Sequence, residues 1–236
     1  MQNNCKSWYE KSYTDKGSKA QRRYPNEECC RFVGSKFSNL SKIEKGKLTC
    51  LEVGCGSGSN LWMLIEEGFK VTGLDISENS LKVCKSILEQ KNLNIPNLIC
   101  ASMTKIPLEN ESQDFIVDIF SSNCLTLKDF DDYLNEGYRV LKNNGSIFIY
   151  TPSKKSDAFL NPGNASLLDQ STLDGVFRES SPYCGNHYPF RFEHIEELET
   201  KLIAKGFEIN YSELVSRTYR RCSEYFEFIT LEAIKK

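Results

Sequence analysis

The stretch LEVGCGSGSN, residues 51–60, is an apolar run that passes directly into three closely spaced glycines. The apolar part is typical of a buried strand, and the residues that follow place Leu61, Leu64 and Ile65 on one face of a helix. Glycine lacks a Cβ and tolerates positive φ, so a strand-to-helix turn built from glycines lets backbone N–H groups face a polar ligand. The stretch therefore predicts a ligand-binding loop between a strand and a helix.

A second motif, VTGLD at residues 71–75, is a short apolar run that ends on an acidic residue. Asp75 follows Gly54 at about the 20-residue spacing at which a strand-terminal carboxylate meets the ribose hydroxyls of a bound nucleoside. The loop reads Gly54-x-Gly56-x-Gly58, whereas dinucleotide loops usually read Gly-x-Gly-x-x-Gly. A nicotinamide-dependent oxidoreductase is therefore the disfavoured alternative, and no catalytic Tyr/Lys pair is recognisable either.

The surrounding sequence alternates strand-like and helical runs, which is typical of βαβ units on a parallel sheet. Strands are predicted at residues 49–53, 70–74, 97–100, 115–120 and 146–151. Helices are predicted at residues 26–37, 60–67, 78–91, 128–142 and 193–205. Ser77 is expected to cap the third helix, and Asn143-Asn144-Gly145 to end the fourth. The runs 207–215 and 224–233 predict an antiparallel closing pair, so the pattern favours a doubly wound α/β fold.

Together these motifs resemble those of the class I S-adenosylmethionine-dependent methyltransferases, whose first motif is similar to LEVGCGSGSN and whose second ends in an acid like that of VTGLD. Residues 102–107 (SMTKIP) look like the family segment that borders the adenine, and residues 114–117 (DFIV) look like its fourth strand. Residues 138–145 (YRVLKNNG) resemble the helix and turn before its fifth strand. The resemblance implies a Rossmann-like, mostly parallel seven-stranded sheet with an antiparallel last strand and an N-terminal helical cap.

The resemblance also implies S-adenosylmethionine as the cofactor and identifies the residues expected to bind it. Where the family often has an Asp that contacts the adenine amino group, this chain has Ser102, whose hydroxyl can still form a hydrogen bond. Met103 is expected to form an apolar wall for the adenine. The full expected set is Glu52, Gly54, Cys55, Gly56, Gly58, Asn60, Asp75, Ile76, Ser102, Met103 and Asp118.

The 236 residues are expected to form one domain with four parts. Residues 1–45 are expected to be an N-terminal helical cap and 46–151 the cofactor-binding core; residues 152–192 are expected to cover the acceptor, and 193–236 to supply a helix and the closing strands. Segment 152–192 is far longer than an ordinary connection, and long ordered loops are usually functional.

The region 8–32, with WYEKSY and RRYPNEE, looks like the N-terminal cap of a bacterial small-molecule branch of the family. Its aromatic side chains either close over the methionine end of the cofactor or pack the N-terminal helix. These aromatic residues are therefore candidates for a cofactor cap or an acceptor pocket. Two residues near the end of segment 152–192 are candidates for the same roles. These candidates are Trp8, Tyr9, Tyr13, Tyr24, Tyr188 and Arg191.

The expected reaction is methyl transfer to a small-molecule acceptor, with the hydroxyl of an anionic metabolite or a sugar as the favoured target. Positioning should supply most of the catalysis. A base near the hydroxyl would help remove its proton, and His187 is the candidate because the pKa of histidine suits that role. A surface or packing role is the alternative for His187, and His194 falls at a helix start and is not expected to act.

Basic residues in or near the covering segments favour an anionic acceptor, with solvated surface charge as the alternative. They are Lys154, Lys155, Arg178, Arg191, Arg217, Arg220 and Arg221. The formal net charge is −2 and the isoelectric point is near 5.9, so no global field attracts nucleic acid or an anionic membrane. The ten cysteines form no Cys-x-x-Cys pair and only two histidines accompany them, so no metal site is expected.

Several expectations follow from what the sequence lacks. The first residues contain no apolar stretch that could act as a secretory signal, so a cytoplasmic protein is expected. Neither nucleic acid nor a membrane is expected as a partner, and the chain is expected to be a monomer or a homodimer. A protein methyltransferase, an N-methyltransferase and a noncatalytic nucleoside-binding protein remain as alternatives.

Overall fold

The computed structural model describes residues 2–236, so residue 1 of the expected N-terminal cap lies outside the described residues. Short 3-10 turns at Gly17–Lys19 and Ser122–Cys124 accompany the α-helices. The α-helices of the described range are α1 (Gln2–Lys16), α2 (Glu27–Phe37), α3 (Lys42–Lys45), α4 (Leu61–Glu67), α5 (Glu78–Gln90), α6 (Leu127–Val140), α7 (Asp157–Leu160) and α8 (Ile195–Ala204).

The strands are β1 (Thr49–Val53), β2 (Lys70–Asp75), β3 (Asn97–Cys100), β4 (Gln113–Ile119), β5 (Leu141–Pro152), β6 (Thr172–Leu173), β7 (Phe190–Arg191), β8 (Phe207–Tyr219) and β9 (Glu224–Lys235). Seven of them form a sheet of order β3-β2-β1-β4-β5-β9-β8, while β6 and β7 pair separately. Neighbours are parallel except around β9, which runs antiparallel to both β5 and β8. This confirms the predicted Rossmann-like sheet with an antiparallel last strand.

Side-chain caps fix where the main helices begin. The Asn26 side chain accepts hydrogen bonds from the N–H groups of Glu28 and Cys29, so α2 begins one residue later than expected. Ser77 accepts from the Ser80 N–H and caps α5, as the sequence predicted. Each cap satisfies backbone donors that the first turn leaves without helical partners and stabilises its helix by about 1 kcal/mol.

One sequence prediction about helix bounds is wrong, and one helix had no predicted bounds. Helix α1 lies within the expected N-terminal helical cap, but the sequence did not predict where it begins and ends, because its polar and apolar residues show little helical periodicity. Helix α6 ends at Val140 rather than at residue 142, and Leu141 already pairs with Gln113 in the sheet. The expected Asn143-Asn144-Gly145 turn therefore lies within β5, where Asn144 has a φ of +62°.

Successive residues of the central strands face two different cores. On one side, the Phe32 ring from α2 stacks on Phe148 with the ring centroids 4.4 Å apart. On the other side, Ile116 and Ile147 pack with Leu134 of α6. Burial of each such side chain stabilises the fold by about 1.5–3 kcal/mol, so α2 and α6 pack on opposite faces of the sheet. No helix within residues 2–236 combines the length and apolar character needed to cross a membrane.

Candidate active site

A cavity of about 620 Å³ opens at the carboxyl ends of the central strands. Strand order reverses between β1 and β4, and doubly wound sheets bind ligands at such a reversal. The volume falls within the range of roughly 300–1,000 Å³ that small-molecule sites usually have. The cavity is therefore where the fold and the sequence motifs both place a ligand.

The loop after β1 depends on its three glycines. Gly54, Gly56 and Gly58 have φ values of +63°, +54° and +81°, which other residues rarely adopt. A Cβ on Gly54 would lie 2.5 Å from Oγ of Ser121, and one on Gly58 would lie 2.5 Å from Sγ of Cys84. Gly54 lines the cavity, whereas Gly56 and Gly58 shape the loop without lining it.

Asp75 ties this loop to the end of β2. Its Oδ2 atom accepts a 2.8 Å hydrogen bond from the Gly56 N–H, and its Oδ1 atom accepts one of 2.9 Å from the Ser77 N–H. Burial raises the pKa of the Asp75 carboxyl, and these two N–H donors lower it. The carboxylate therefore fixes the loop while it lines the cavity.

Glu52 forms the buried floor of the cavity at the end of β1. Its Oε1 atom accepts a 2.7 Å hydrogen bond from the Asn60 side chain, while Oε2 has no hydrogen-bond partner within the described range. Burial raises the pKa of Glu52 to about 8. Asn60 in turn accepts a hydrogen bond from the Asn26 N–H, so the floor is joined to the start of α2.

Other expected cofactor residues lie along the same end of the cavity. Cys55, Ile76, Ser102 and Met103 all line it, and the Ser102 hydroxyl is 2.8 Å from that of Thr104. Asp118, in β4, does not line it, because its side chain is fully buried and accepts hydrogen bonds from backbone N–H groups of Ser121 and Ser122. Asp118 therefore shapes the turn after β4.

Helix α1 covers the cofactor end. Glu10 accepts a 2.7 Å hydrogen bond from the Glu78 N–H, which holds α1 against the start of α5. Trp8, Tyr9 and Tyr13 all line the cavity, a position compatible with both of the expected roles. The Tyr9 and Tyr188 hydroxyls are 3.0 Å apart, which joins α1 to segment 152–192. Tyr24 also lines the cavity, at its exposed rim.

The end of the cavity beyond β4 consists mainly of aromatic side chains that were not among the sequence candidates. Phe120, Tyr150, Tyr183 and Phe228 line it, and they come from four separate segments. Arg22 and Arg217 line the same cavity. Phe120 and Tyr150 follow or end parallel strands, and that position was the one sequence signal that could have found them. Tyr183 and Phe228 carried no such signal.

The structure does not bring His187 into the cavity. Its side chain is exposed and stacks on Phe177 with ring centroids 5.0 Å apart, while its neighbours Asn186 and Tyr188 line the cavity. The expectation that His187 lies in the acceptor pocket is therefore corrected: consecutive residues of an extended loop point in opposite directions, and His187 is on the outer side.

Arg191 is likewise absent from the cavity wall. It is fully buried, its Nη1 atom donates to the carbonyls of Ser122 and Leu125, and it forms a 2.9 Å salt bridge with Glu193. Of the other basic candidates, Arg217 alone lines the cavity. Arg178 pairs with Glu224 and Lys154 with Glu197, Lys155 is exposed, and Arg220 and Arg221 are exposed in the turn between β8 and β9.

Within residues 2–236, no three His, Cys, Asp or Glu side chains gather as metal ligands would. The ten cysteines are free thiols in the structure. Cys5, Cys55 and Cys124 line the cavity. Burial, together with neighbouring acidic groups, raises the pKa of Cys55, so its thiol is protonated at neutral pH.

Comparison with known proteins gives a consistent result. Residues 51–149 match a family model described as a methyltransferase domain. A protein of Geobacillus sp. (strain WCH70) named as a methyltransferase is 25% identical over 233 residues, covering 94% of this chain and 84% of that protein. A demethylmenaquinone methyltransferase of Listeria welshimeri is 33% identical over 111 residues, so this chain matches 46% of its length.

Among solved structures, the fold is similar to that of 1,6-didemethyltoxoflavin-N1-methyltransferase from Burkholderia thailandensis, which was determined with 1,6-didemethyltoxoflavin and S-adenosylhomocysteine bound. The TM-score is 0.66 at 14% identity, over 98% of this chain and 87% of that one. At this identity the likeness concerns the fold.

Proposed function

The chain belongs to the class I S-adenosylmethionine-dependent methyltransferases, with S-adenosylmethionine as its cofactor, and from that premise we propose that it methylates a hydroxyl group of a small-molecule acceptor. One observation carries the proposal: a single cavity runs from Glu52 and Asp75 to Phe120 and Tyr183. Two of the compared proteins are named for small-molecule acceptors, demethylmenaquinone and 1,6-didemethyltoxoflavin. An anionic metabolite or a sugar is the acceptor class that the sequence favours.

The residues at the glycine loop fit the proposed cofactor. Glu52 offers a buried carboxyl oxygen without a partner within the described range, and a charged amino group bound beside it would favour the ionised form of this carboxyl. Asp75 ends β2 at the position suited to ribose hydroxyls, and Ile76 and Met103 offer apolar walls for a base. When bound, S-adenosylmethionine supplies a methyl group that its sulfonium makes electrophilic. A Cβ at Gly54 would displace Ser121 and narrow this space.

The role of the chain's own residues is then to position the acceptor and exclude water. Trp8, Tyr9 and Tyr188 form an aromatic contact between α1 and segment 152–192, with ring centroids 5.0–5.3 Å apart. This contact closes the cavity on the side of α1. Exclusion of water prevents side reactions with solvent. A fixed geometry lowers the activation barrier, because binding has already brought the two reactants together.

Few side chains in the cavity could accept the proton that the acceptor hydroxyl loses. The cavity carboxylates are Glu52 and Asp75 at the cofactor end and Glu27, which pairs with Arg217. Burial raises the pKa of Tyr9 and of Tyr188, so these hydroxyls are donors rather than bases at neutral pH. The proposal is therefore that the acceptor hydroxyl is acidic enough to lose its proton to solvent as the acceptor binds.

Methylation of a ring nitrogen is the second candidate. Its support is that the Burkholderia protein is named for an N1 position, and a neutral ring nitrogen also needs no strong base. Analysis of the product by mass spectrometry and NMR separates the two candidates, because the methyl group would lie on nitrogen rather than oxygen.

The first experiment is calorimetric binding of S-adenosylmethionine and S-adenosylhomocysteine to the wild type and to Asp75→Ala. We expect the substitution to weaken both affinities by more than about tenfold, or roughly 1.4 kcal/mol. Asp132→Ala, in α6 and outside the cavity, is the matched control and should bind as the wild type does. Equal affinities for Asp75→Ala and wild type would contradict the proposed cofactor site.

A further inference from the structure

The acceptor end of the cavity is an aromatic box, defined here as Phe120, Tyr150, Tyr183 and Phe228. Phe120 and Tyr183 stack with their ring centroids 4.6 Å apart and their planes inclined by 26°. Tyr150 and Phe228 stack at 4.8 Å and 19°. The Phe120 and Phe228 rings lie edge to face at 5.8 Å and join the two pairs. All four side chains line the cavity, but Tyr150 and Phe228 are almost fully buried, so the half-buried rings of Phe120 and Tyr183 are the ones that a ligand can contact most.

Phe120 holds its place in the box with an unusual backbone conformation. Its φ is +57°, a region that bulky side chains rarely adopt. A 2.8 Å hydrogen bond from its N–H to the Tyr150 carbonyl keeps the residue in register with β5. Such conformations persist where the surroundings impose them, and they cluster at ligand sites. The strained residue is also the one that directly follows β4 at the cavity.

Positive charge lies beside the box. Arg22, from the connection between α1 and α2, and Arg217, from β8, both line the cavity. Burial raises the pKa of Tyr183, while the charges of Arg22 and Arg217 lower it, so both guanidinium groups act on the box. Arg217 forms a salt bridge with Glu27, whereas Arg22 is exposed at the cavity wall. Arg23 also lines the cavity, but Arg22 and Arg217 are the arginines whose charges act on Tyr183. Of these two, Arg22 is better able to meet an incoming anion.

We infer that the aromatic box binds a planar aromatic or heteroaromatic acceptor carrying an anionic group, with Phe120 stacking on its ring and Arg22 pairing with its anion. This inference rests on the proposed function. It narrows the acceptor class from an anionic metabolite or a sugar to a planar aromatic anion. Flat rings gain from offset stacking at the centroid distances seen in the box. A guanidinium favours carboxylate or phosphate through parallel hydrogen bonds. A sugar would offer neither a flat ring nor a charge.

The test uses the complex of the protein with S-adenosylhomocysteine and four probes: 2-naphthoate, 2-naphthyl phosphate, neutral 2-naphthol and saturated decahydro-2-naphthoate. Dissociation constants come from NMR titration. We expect at least one planar anion to bind about tenfold more tightly than both 2-naphthol and decahydro-2-naphthoate. The better of the two planar anions identifies carboxylate or phosphate as the preferred group. Equal binding of all four probes, or no binding of either planar anion, overturns the inference.

Two variants assign the effects to residues. Phe120→Leu should weaken the planar anions about fivefold and leave decahydro-2-naphthoate unchanged, with Phe177→Leu outside the cavity as its control. Arg22→Met should weaken the planar anions about tenfold and leave 2-naphthol unchanged, with Arg220→Met as its control. If Phe120→Leu does not fold, Arg22→Met still tests the inference, because Arg22 is exposed and its substitution should not affect folding. Unchanged probe selectivity in Arg22→Met overturns the inference.

Failure of the proposed function has a different signature. In that case S-adenosylhomocysteine does not bind to the wild-type protein, and the inference falls with the function on which it rests. If S-adenosylhomocysteine binds to the wild type and to both variants with affinities within twofold, the cofactor site is intact. Loss of ring or charge selectivity under those conditions concerns the acceptor end alone.

Discussion

The two ends of the cavity are built in different ways. The cofactor end comes mainly from residues 52–76, where a strand, a glycine loop, a helix and a second strand follow one another along the chain. The acceptor end takes its side chains from the end of β4, from β5, from segment 152–192 and from β9. Backbone conformation decides the first end, and packing between distant segments decides the second. Substitutions at the two ends should therefore be detected by different measurements.

The largest expected effect is on the scaffold beneath the acceptor end. Arg191→Met should lower the free energy of unfolding by about 3–4 kcal/mol, because it leaves the fully buried Glu193 carboxylate without one of its two cations. Lys201 still pairs with Glu193 at 2.7 Å and limits the loss. The measurement is denaturation in urea with S-adenosylhomocysteine affinity of the folded protein as a second readout.

Lys128→Met is the control for Arg191→Met, because Lys128 forms an exposed salt bridge of 3.4 Å within α6. Its loss should cost no more than about 0.5 kcal/mol. If Arg191→Met were as stable as Lys128→Met but lost acceptor binding, Arg191 would be a binding residue after all. That result would return Arg191 to the role that the sequence suggested.

The fold, and the glycine loop that lies beside the cavity, could be predicted because their causes are local. Positive φ favours glycine at 54, 56 and 58, and the alternation of apolar runs with amphipathic helices defines the sheet. The position of Arg191 could not be predicted, because its partners Ser122 and Leu125 lie 69 and 66 residues away along the chain. Burial of a charged residue depends on such long-range contacts, and a basic residue in a loop is more often solvated.

The second prediction concerns the cofactor end. Gly54→Ala should lower the free energy of unfolding by about 2–3 kcal/mol, because it combines a left-handed backbone with overlap between the new Cβ and Ser121. The same change should weaken S-adenosylhomocysteine binding at least tenfold. Urea denaturation and calorimetry measure the two effects.

Gly163→Ala separates these two causes. Gly163 has a φ of +67°, but no atom lies within 4 Å of the position that a Cβ would occupy, so only the backbone cost of about 1 kcal/mol should appear. The double variant Gly54→Ala/Ser121→Gly should recover the part that the overlap causes. Equal decreases in the free energy of unfolding for Gly54→Ala and Gly163→Ala would mean that the loop and Ser121 move apart at no cost. Close packing around the glycine loop would then not determine the geometry of the cofactor end.

The third prediction concerns pH. Burial holds the pKa of Glu52 near 8 in the folded protein, above its ordinary value of 4.5, so the folded state keeps a proton that the unfolded state releases. Glu52 therefore lowers the stability progressively as the pH rises from about 4.5 to about 8. Glu52→Gln lacks this effect, and its stability relative to wild type should rise by about 1–4 kcal/mol across that window.

The control for Glu52→Gln is Glu89→Gln on the exposed face of α5, whose difference from wild type should stay constant with pH. Urea denaturation at pH 5 and pH 8 measures both variants. A constant difference for Glu52→Gln would mean that water reaches the carboxylate, and the cofactor end would then be less dry than its burial indicates.

The remaining gap between sequence and structure concerns the orientation of single side chains in segment 152–192. Tyr183 and Tyr188 point into the cavity, while His187 lies outside it. In an irregular loop no periodicity says which residues face inward, so chemistry alone suggested the histidine. Contacts with α1 and β4 decide the orientation, through the Tyr9–Tyr188 hydroxyl pair and the Phe120–Tyr183 stack.

The smallest expected effect tests that orientation. His187→Ala should keep turnover within twofold of wild type and the free energy of unfolding within about 0.5 kcal/mol, because the side chain is exposed and contacts only the surface ring of Phe177 among the aromatic residues described. Tyr188→Phe, one residue away, removes the hydroxyl contact with Tyr9 and should cost about 1 kcal/mol. Turnover with the identified acceptor and thermal unfolding measure both. A drop in turnover of more than tenfold for His187→Ala, with unchanged cofactor affinity, would restore His187 as the base. The acceptor end would then close by a movement of segment 152–192 that turns this side chain inward.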